Sequence, residues 1–570
     1  MMNWLIVFCI NLWCFWQNSW RSLRRRRVDY VYLELQGTLP EFADEPPWWQ
    51  RWLVGARQPA SLTGLRRQFQ RIVDDPHVQG VLLVMRDFTP GWATIESLRD
   101  ELHALRMRDR RVVVYLVNGD TRSYVAACAA DKVLMPPTAY LYLLGIRVEA
   151  RFLRDTLALV GLEAEVTAVS PYKAGGDMFA RSEMSPEHRE QLERLIDQRF
   201  DSIITTIVAD RRLTSARVRT LIDEAPYQAS AACAAGLIDG VCYEDELEAY
   251  LSQTIPQPPG NPARKLIIQE WQQARHALRV PYSRHQRRYV AVVSIEGVIM
   301  PGASRTLPLP LPIIGGAQAG SDSIIQALRH VERDQRIAAL VLHVDSPGGD
   351  SFASDLIWRE VVRVRQQKPV VVSMGNVAAS GGYYVAAGAN AIVAQPGTIT
   401  GSIGVYALRP VASTLLQRLG VNTTVLTRGA RTGLLSATEP PSDDEREVMR
   451  QTVATTYAEF KQRVGSGRGL AEEALEPVAG GRVWNGRDAQ RLGLIDELGG
   501  LPVAIRRARQ LAQLPIDTRA PVLRITPGRQ RERLLPYPFP HEAPVAIDDL
   551  LAEITRPRLL AVLPWIVRDL

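Results

Sequence analysis

The sequence predicts an α/β protein built from two tandem repeats, each carrying a mostly parallel sheet. Two observations predict it. The first is a set of short, continuous, largely β-branched runs: VLLV at 81–84, VVVYLV at 112–117, LVLHV at 340–344 and VVVSM at 370–374. Such runs read as strands covered on both faces, and they alternate with helical patterns such as SLRDELHALRMRD (97–109) and SDLIWREVVRVRQQ (354–367). The second is an internal duplication at an offset of about 260 residues.

The elements follow in register. VDYVYLELQG (28–37) and RYVAVVSIEG (288–297) open the halves as strands ending at a glycine. RIVDDPHVQGVLLV (71–84) and HVERDQRIAALVLHV (330–344) each give a helix end, an acidic turn and a strand. SYVAACAADKVLMPP (123–137) matches YYVAAGANAIVAQPG (383–397), and GLIDG (236–240) matches GLIDELGG (493–500). PQPPGNP (256–262) denies regular structure between the halves, and KLIIQEWQQARHAL (265–278) reads as a bridging helix. The expected divisions are 1–27 (anchor and basic flank), 28–255 (first repeat), 256–288 (linker and bridging helix), 289–515 (second repeat) and 516–570 (extension).

The segment from Trp4 to Trp16 is apolar over 13 residues, extended by Trp20, where a helix crossing a bilayer needs about 20. No basic stretch precedes it and no small-residue cleavage site follows. It reads as an uncleaved anchor, spanning or interfacial, with tryptophans suited to the membrane boundary. The arginines of RSLRRRR (21–27) follow it, which by the positive-inside rule puts the main body in the cytoplasm.

Composition narrows the function classes. Apolar residues make up 46% and charged residues 23% of the 570, a balance of globular rather than disordered chains. Basic residues (68) are interspersed with acidic ones (61), so the net charge of +7 reads as solvated surface. No aromatic-interleaved basic stripe or zinc-finger spacing points to nucleic acid. The five cysteines (9, 14, 128, 233 and 242) have no regular spacing and give no disulfide framework. None of the eight histidines lies in a glycine-framed motif near a serine, and no HExxH or CxxC occurs, so neither a Ser–His–Asp triad nor a metal or cofactor site is expected.

The chemistry lies where the repeats differ. DSPGGD (345–350) follows a strand, and its glycines expose backbone N–H groups that can bind a developing oxyanion. NVAASGGYYVAAG (376–388) puts Ser380 at a strand-to-helix turn, where its hydroxyl is either presented for attack or spent as a helix cap. TITGSIGVYA (398–407) holds Ser402 between glycines. The first half has GDTRSY where the second has ASGGYY, so Asp120 stands opposite Ser380. Its own distinctive run is VSPYKAGGDMFARSEMSP (169–186), with Lys173 opposite Thr432. One half holds the serine and the other the lysine, which suggests a composite site drawing Ser380 from one repeat and Lys173 from the other.

These motifs resemble the long, two-repeat bacterial signal peptide peptidases (SppA) of the ClpP/crotonase superfamily. YKAGGDMFARSEMSP resembles their lysine motif. DSPGG, AASGGYY, TGSIGV and GRVWNGRDAQRLGLIDELGG (481–500) resemble their C-terminal motifs, and the likeness runs from about residue 28. The resemblance implies tandem ClpP/crotonase-like repeats of ββα units and a dyad with Ser380 as nucleophile and Lys173 as general base. It implies that Ser402 orients the lysine, and that the oxyanion hole uses backbone N–H around Gly348 or Gly349 and Gly381. A lysine base must be neutral, so its pKa must fall from about 10.4, which burial achieves. The resemblance further implies hydrolysis of signal-peptide remnants and short hydrophobic peptides through an acyl-enzyme. It implies membrane-anchored homo-oligomers, a tetrameric dome, with catalytic domains outside the cytoplasm and no cofactor. The insertion RTLPLPLPIIGGAQAG (305–320) departs from the family pattern. The competing readings are a crotonase-like acyl-CoA enzyme, which would lack the serine and the remote lysine, and a non-catalytic membrane scaffold, which would hold them apart.

Overall fold

The computed structural model describes residues 2–23, 27–43, 60–254, 265–282, 287–307, 316–516, 521–530 and 558–562. The PQPPGNP linker, residues 24–26 of the basic run and the centre of the 305–320 insertion lie outside them. The chain divides into two compact units, one of residues 1–147 and 197–285, the other of residues 148–196 and 286–569.

The first unit is built on a six-stranded sheet. Its order is Ile268–Glu270, Tyr30–Gly37, Gly80–Phe88, Arg111–Leu116, Lys132–Met135 and Gly240–Val241, and every pairing is parallel. The β-branched runs at 81–84 and 112–116 are buried throughout, as strands covered on both faces must be. Helix Leu62–Asp74 packs Leu62, Leu65, Phe69 and Ile72 inward at helical spacing, and Ser61 caps it by accepting from the Gly64 N–H at 3.1 Å. The stretch expected to be one bridging helix is divided: Ile268–Glu270 is an edge strand and Trp271–Ala277 a short helix. The open edge of Tyr30–Gly37 offers a ladder, and Ile268–Glu270 pairs with it in preference to starting a helix.

Helix Met2–Leu23 lies on this unit through one stripe. Cys14 is buried, Asn18 exchanges hydrogen bonds with the backbone of Val280 (3.1 and 2.8 Å), and Arg21 donates to Leu278 O at 2.6 Å. Phe8, Leu12, Trp13, Phe15, Trp16 and Trp20 are exposed. No helix among the described residues is long and apolar enough to cross a membrane.

The second unit repeats the design. Its central sheet runs Val483–Asn485, Ile399–Gly401, Val370–Ala379, Ile337–Ser346, Tyr289–Glu296 and Val522–Ile525, parallel except at the first pairing. Helix Ser321–Arg333 buries Ile324, Ala327, Leu328 and Val331, the counterpart of the capped helix in the first unit. A second sheet brings the functional segments together. The glycine strand (Gly348–Asp350), the strand Arg558–Val562, the return strand (Tyr406–Val411) and the lysine-side strand (Glu163–Ala168) lie side by side in that order. Glu163–Ala168 pairs antiparallel with Tyr406–Val411 over six residues, from Ala168↔Tyr406 to Glu163↔Val411. Residues 148–196 therefore belong to the second compact unit, although they fall in the first sequence repeat.

Candidate active site

The serine corner begins where strand Val370–Ala379 ends. Ser380 stands at φ 54, ψ −116, before helix Gly381–Ala386. A left-handed φ is costly for a residue with a Cβ, and such conformations persist only where the surroundings enforce them. Here the Ser380 N–H donates to Gly401 O and the Ser380 carbonyl accepts from the Tyr384 N–H, both at 2.8 Å. The side chain occupies the helix-cap position but makes no capping bond. Its hydroxyl points elsewhere.

It points to Lys173. The lysine follows the Glu163–Ala168 strand and a turn in which the Lys173 N–H donates to Ser170 O at 3.1 Å. The Lys173 Nζ lies 2.7 Å from Ser380 Oγ, 2.9 Å from Ser402 Oγ and 2.9 Å from the Ser402 carbonyl oxygen. Lys173 is 1% exposed, and Ser380 and Ser402 are fully buried. Among the described residues no carboxylate forms an ion pair with it, and burial alone pushes its pKa well below the ordinary lysine value. The three residues singled out from different motifs thus meet around one nitrogen.

Ser402 is itself held: it follows Gly401 (φ 81), adopts φ 52, and donates its N–H to Arg482 O at 2.7 Å. The proposed oxyanion glycines flank the corner. Gly348 has φ 102 and donates its N–H to Ser346 Oγ at 3.2 Å. Gly349 has no room for a Cβ, which would fall 1.9 Å from Ile299 O. Gly381 opens a helix, so its N–H has no intrahelical acceptor, and that helix packs on the glycine strand.

Several supporting residues escape sequence reading. Gly481 (φ +85) presses on the lysine backbone, since a Cβ there would lie 2.6 Å from Lys173 Cβ. Ser170 Oγ donates to Gly480 O, and the Arg482 guanidinium stacks 3.6 Å over the Tyr172 ring. The only signal was that Gly481 and Arg482 begin the GRVWNG motif.

A cavity of about 290 Å³ opens beside the glycine and return strands, lined by Phe352, Leu408, Leu434, Leu435 and Met449 among others. Most of its exposed wall is apolar, and Glu165, Asp350, Arg409, Glu445 and Arg446 contribute charge.

An α/β fold with a buried serine hydroxyl on a deprotonatable amine defines the class: a hydrolase of the serine type. Comparison with known proteins agrees. Peptidase family S49 matches residues 104–255 and 363–515, and the Clp protease family matches 315–397. A chloroplastic serine protease SPPA of Arabidopsis thaliana is 32% identical over 474 residues, 82% of this chain and 68% of the relative. Protease 4 of Haemophilus influenzae is 26% identical over 505 residues, covering 86% and 80%. Protease 4 of Salmonella typhi is 28% identical over 470 residues, covering 80% and 73%. The chain belongs to peptidase family S49 and is a two-repeat, SppA-like serine peptidase.

Proposed function

We propose that this peptidase works through a Ser–Lys dyad, with Ser380 as nucleophile and Lys173 as general base. The observation that carries the reading is the 2.7 Å approach of Lys173 Nζ to Ser380 Oγ with both groups buried. Burial favours the neutral amine. Two of its protons are accepted by the Ser402 carbonyl and hydroxyl, which leaves the lone pair facing the Ser380 O–H. As Oγ attacks a peptide carbonyl, the amine takes the hydroxyl proton. Backbone N–H groups of Gly381 and of Gly348 or Gly349 then stabilise the oxyanion; the Ser346 hydroxyl that now accepts from Gly348 can rotate away. Collapse of the intermediate passes the proton to the leaving amine and leaves an acyl-enzyme, which water hydrolyses.

The substrates we assign are cleaved signal peptides and other short hydrophobic peptides, which the apolar cavity beside the glycine and return strands supports. Helix Met2–Leu23, with its exposed Trp and Phe residues, is read as lying on a membrane surface, and the working form as a homo-oligomer. Flotation with anionic vesicles tests the first of these: protein left at the bottom of the gradient removes the membrane role.

Fluorogenic peptides test the dyad. Ser380→Ala and Lys173→Ala each abolish hydrolysis in a folded protein, and Lys173→Arg does the same, because a guanidinium does not give up its proton at working pH. Near-normal turnover by Lys173→Ala at neutral pH sinks the assignment.

A further inference from the structure

The strand Val483–Asn485 ends the central sheet of the second unit and pairs antiparallel with Ile399–Gly401, with Gly401 opposite Val483. No described strand lies on its other edge, and an edge strand leaves backbone donors and acceptors that must be met in another way. Helix Pro186–Arg211 meets them with side chains. Gln191 and Arg194 stand three residues apart, on one face of that helix. Gln191 Oε1 accepts from the Val483 N–H at 2.5 Å. Arg194 donates to the Val483 carbonyl at 2.6 Å and lies 4.1 Å over the Trp484 ring.

Gln191 makes a second contact that Arg194 does not. Its Nε2 donates at 3.4 Å to the carbonyl of Tyr172, the residue before Lys173. Chemistry fixes the orientation of the amide. A backbone N–H only donates and a carbonyl only accepts, so the oxygen must face Val483 and the nitrogen Tyr172. The side chain is 2% exposed, which closes both bonds to bulk water. Next to it on the helix, Glu190 accepts from the Tyr172 hydroxyl at 2.8 Å. The helix thus holds both the main chain and the ring of the residue that precedes the base.

The two ends of the amide lead to the two sides of the site. On the strand side, Arg482, the residue before Val483, accepts from the Ser402 N–H at 2.7 Å. On the other side the main chain runs straight into Lys173, whose Nζ lies 2.9 Å from both Ser402 oxygens. We propose that Gln191 is a positioning residue for the peptidase reaction: its amide ties the Tyr172–Lys173 main chain to the Val483 strand and so sets where the lysine amine meets Ser402 and Ser380. The inference rests on the dyad reading. It also explains the residue type, since a carboxylate could make only the strand bond and an apolar side chain neither.

The test sets Gln191 against its neighbour Arg194. Kinetic constants and pH–rate profiles are measured with a fluorogenic peptide on the full-length parent, Gln191→Met, Gln191→Glu, Arg194→Met and Lys173→Ala, with urea unfolding to check each fold. Gln191→Met keeps the side-chain length and removes both bonds. Its kcat should fall about tenfold or more with KM within about twofold, because a misplaced base costs rate rather than binding. Its rising limb should move to higher pH: an amine displaced from Ser380 and Ser402 regains water, and burial is what lowers its pKa. Arg194→Met loses a bond to the same Val483 and none to the lysine side, so its limb should match the parent and its kcat stay within about threefold. Gln191→Glu still accepts from Val483 but, ionised at about pH 9, cannot donate to Tyr172, and should stay impaired; it decides the matter alone if Gln191→Met does not fold. Equal effects in the two Met variants, an unmoved limb in Gln191→Met, or parental kcat in Gln191→Glu would each reduce Gln191 to a support for the strand and overturn the proposal. Lys173→Ala keeps the two readings apart. Turnover in that variant removes the dyad and the positioning role together, whereas its inactivity beside any of those three outcomes removes the positioning role alone.

Discussion

Gly481→Ala is the substitution through which the site's geometry can be weighed. A Cβ at Gly481 would lie 2.6 Å from Lys173 Cβ and 2.7 Å from both Lys173 Cα and N. Carbon atoms rest near 3.5–4.0 Å, so the lysine backbone must retreat by about 1 Å. The 2.7 Å contact of Nζ with Ser380 Oγ has no slack for that, and misplacement by about 1 Å costs on the order of a hundredfold in rate. The left-handed φ of +85 adds a stability cost of about 1–2 kcal/mol. Gly480→Ala is the control: φ is +61, so the backbone cost is similar, but the nearest atom to its Cβ would be Ser170 Oγ at 3.4 Å, an ordinary contact. Turnover of a fluorogenic peptide and denaturant unfolding are measured on both. Both should lose the backbone cost, Gly481→Ala should lose more stability because its Cβ also clashes with the Lys173 backbone, and Gly481→Ala alone should lose about two orders of magnitude in kcat. Equal losses of kcat in the two variants would show that the Gly481–Lys173 contact does not set the base, and the argument would fail.

Three further outcomes are expected. The rate on a peptide substrate should rise with pH as Lys173 loses its proton, since burial lowers its pKa from the ordinary lysine value; a steady fall from about pH 6 to about pH 9 in folded protein contradicts a lysine base. Ser402→Ala should lower kcat by about tenfold to a hundredfold, and it should move the rising limb to lower pH, because the ammonium loses an acceptor that stabilises charge; an unmoved limb with unchanged kcat rejects the orienting role. Lys173→Met should be inactive yet more stable than the parent at neutral pH. The sign follows from linkage: the unfolded chain holds the lysine proton more tightly than the folded one, so the buried lysine destabilises most below its folded pKa, and the cost disappears as pH rises to the unfolded value of about 10.4. Urea unfolding at neutral and alkaline pH reads this directly, and an advantage that grows with pH refutes it.

The strands were legible because burial on both faces leaves few alternatives to β-branched residues; the runs at 81–84, 112–116, 340–344 and 370–374 are all in parallel sheets. Ser380 and Lys173 stood out only by setting one repeat against the other, and Ser402 only through the family resemblance, since each alone is an ordinary turn or surface residue. The compact unit to which Lys173 belongs was not legible. It depends on the pairing of Glu163–Ala168 with Tyr406–Val411, and a ladder between strands so far apart in sequence leaves no local mark. Gly481, Ser170 and Arg482 were hidden for a related reason: they act through backbone carbonyls, close approach and a stacked ring, which residue type alone does not announce.

The two repeats treat one corner in opposite ways, and the contrast explains why only one of them leaves its side-chain oxygen free to face an amine. In the first, Asp120 caps helix Thr121–Ala127: its Oδ1 accepts from the Ser123 N–H at 2.7 Å, and Ser123 Oγ accepts in return from the Asp120 N–H at 2.9 Å. Reciprocal capping of this kind stabilises a helix start by about 0.5–2 kcal/mol, and Asp120 does it from relaxed extended backbone (φ −98). In the second, Ser380 holds the same position at φ 54 and gives the helix no cap. The strain of such a backbone, about 1–3 kcal/mol, is added to the missing cap. A cap would turn the hydroxyl back onto its own helix and away from Lys173. The corner that forgoes the cap is therefore the one free to present its oxygen to an amine, and the surrounding parallel sheet, buried throughout, is what holds it there.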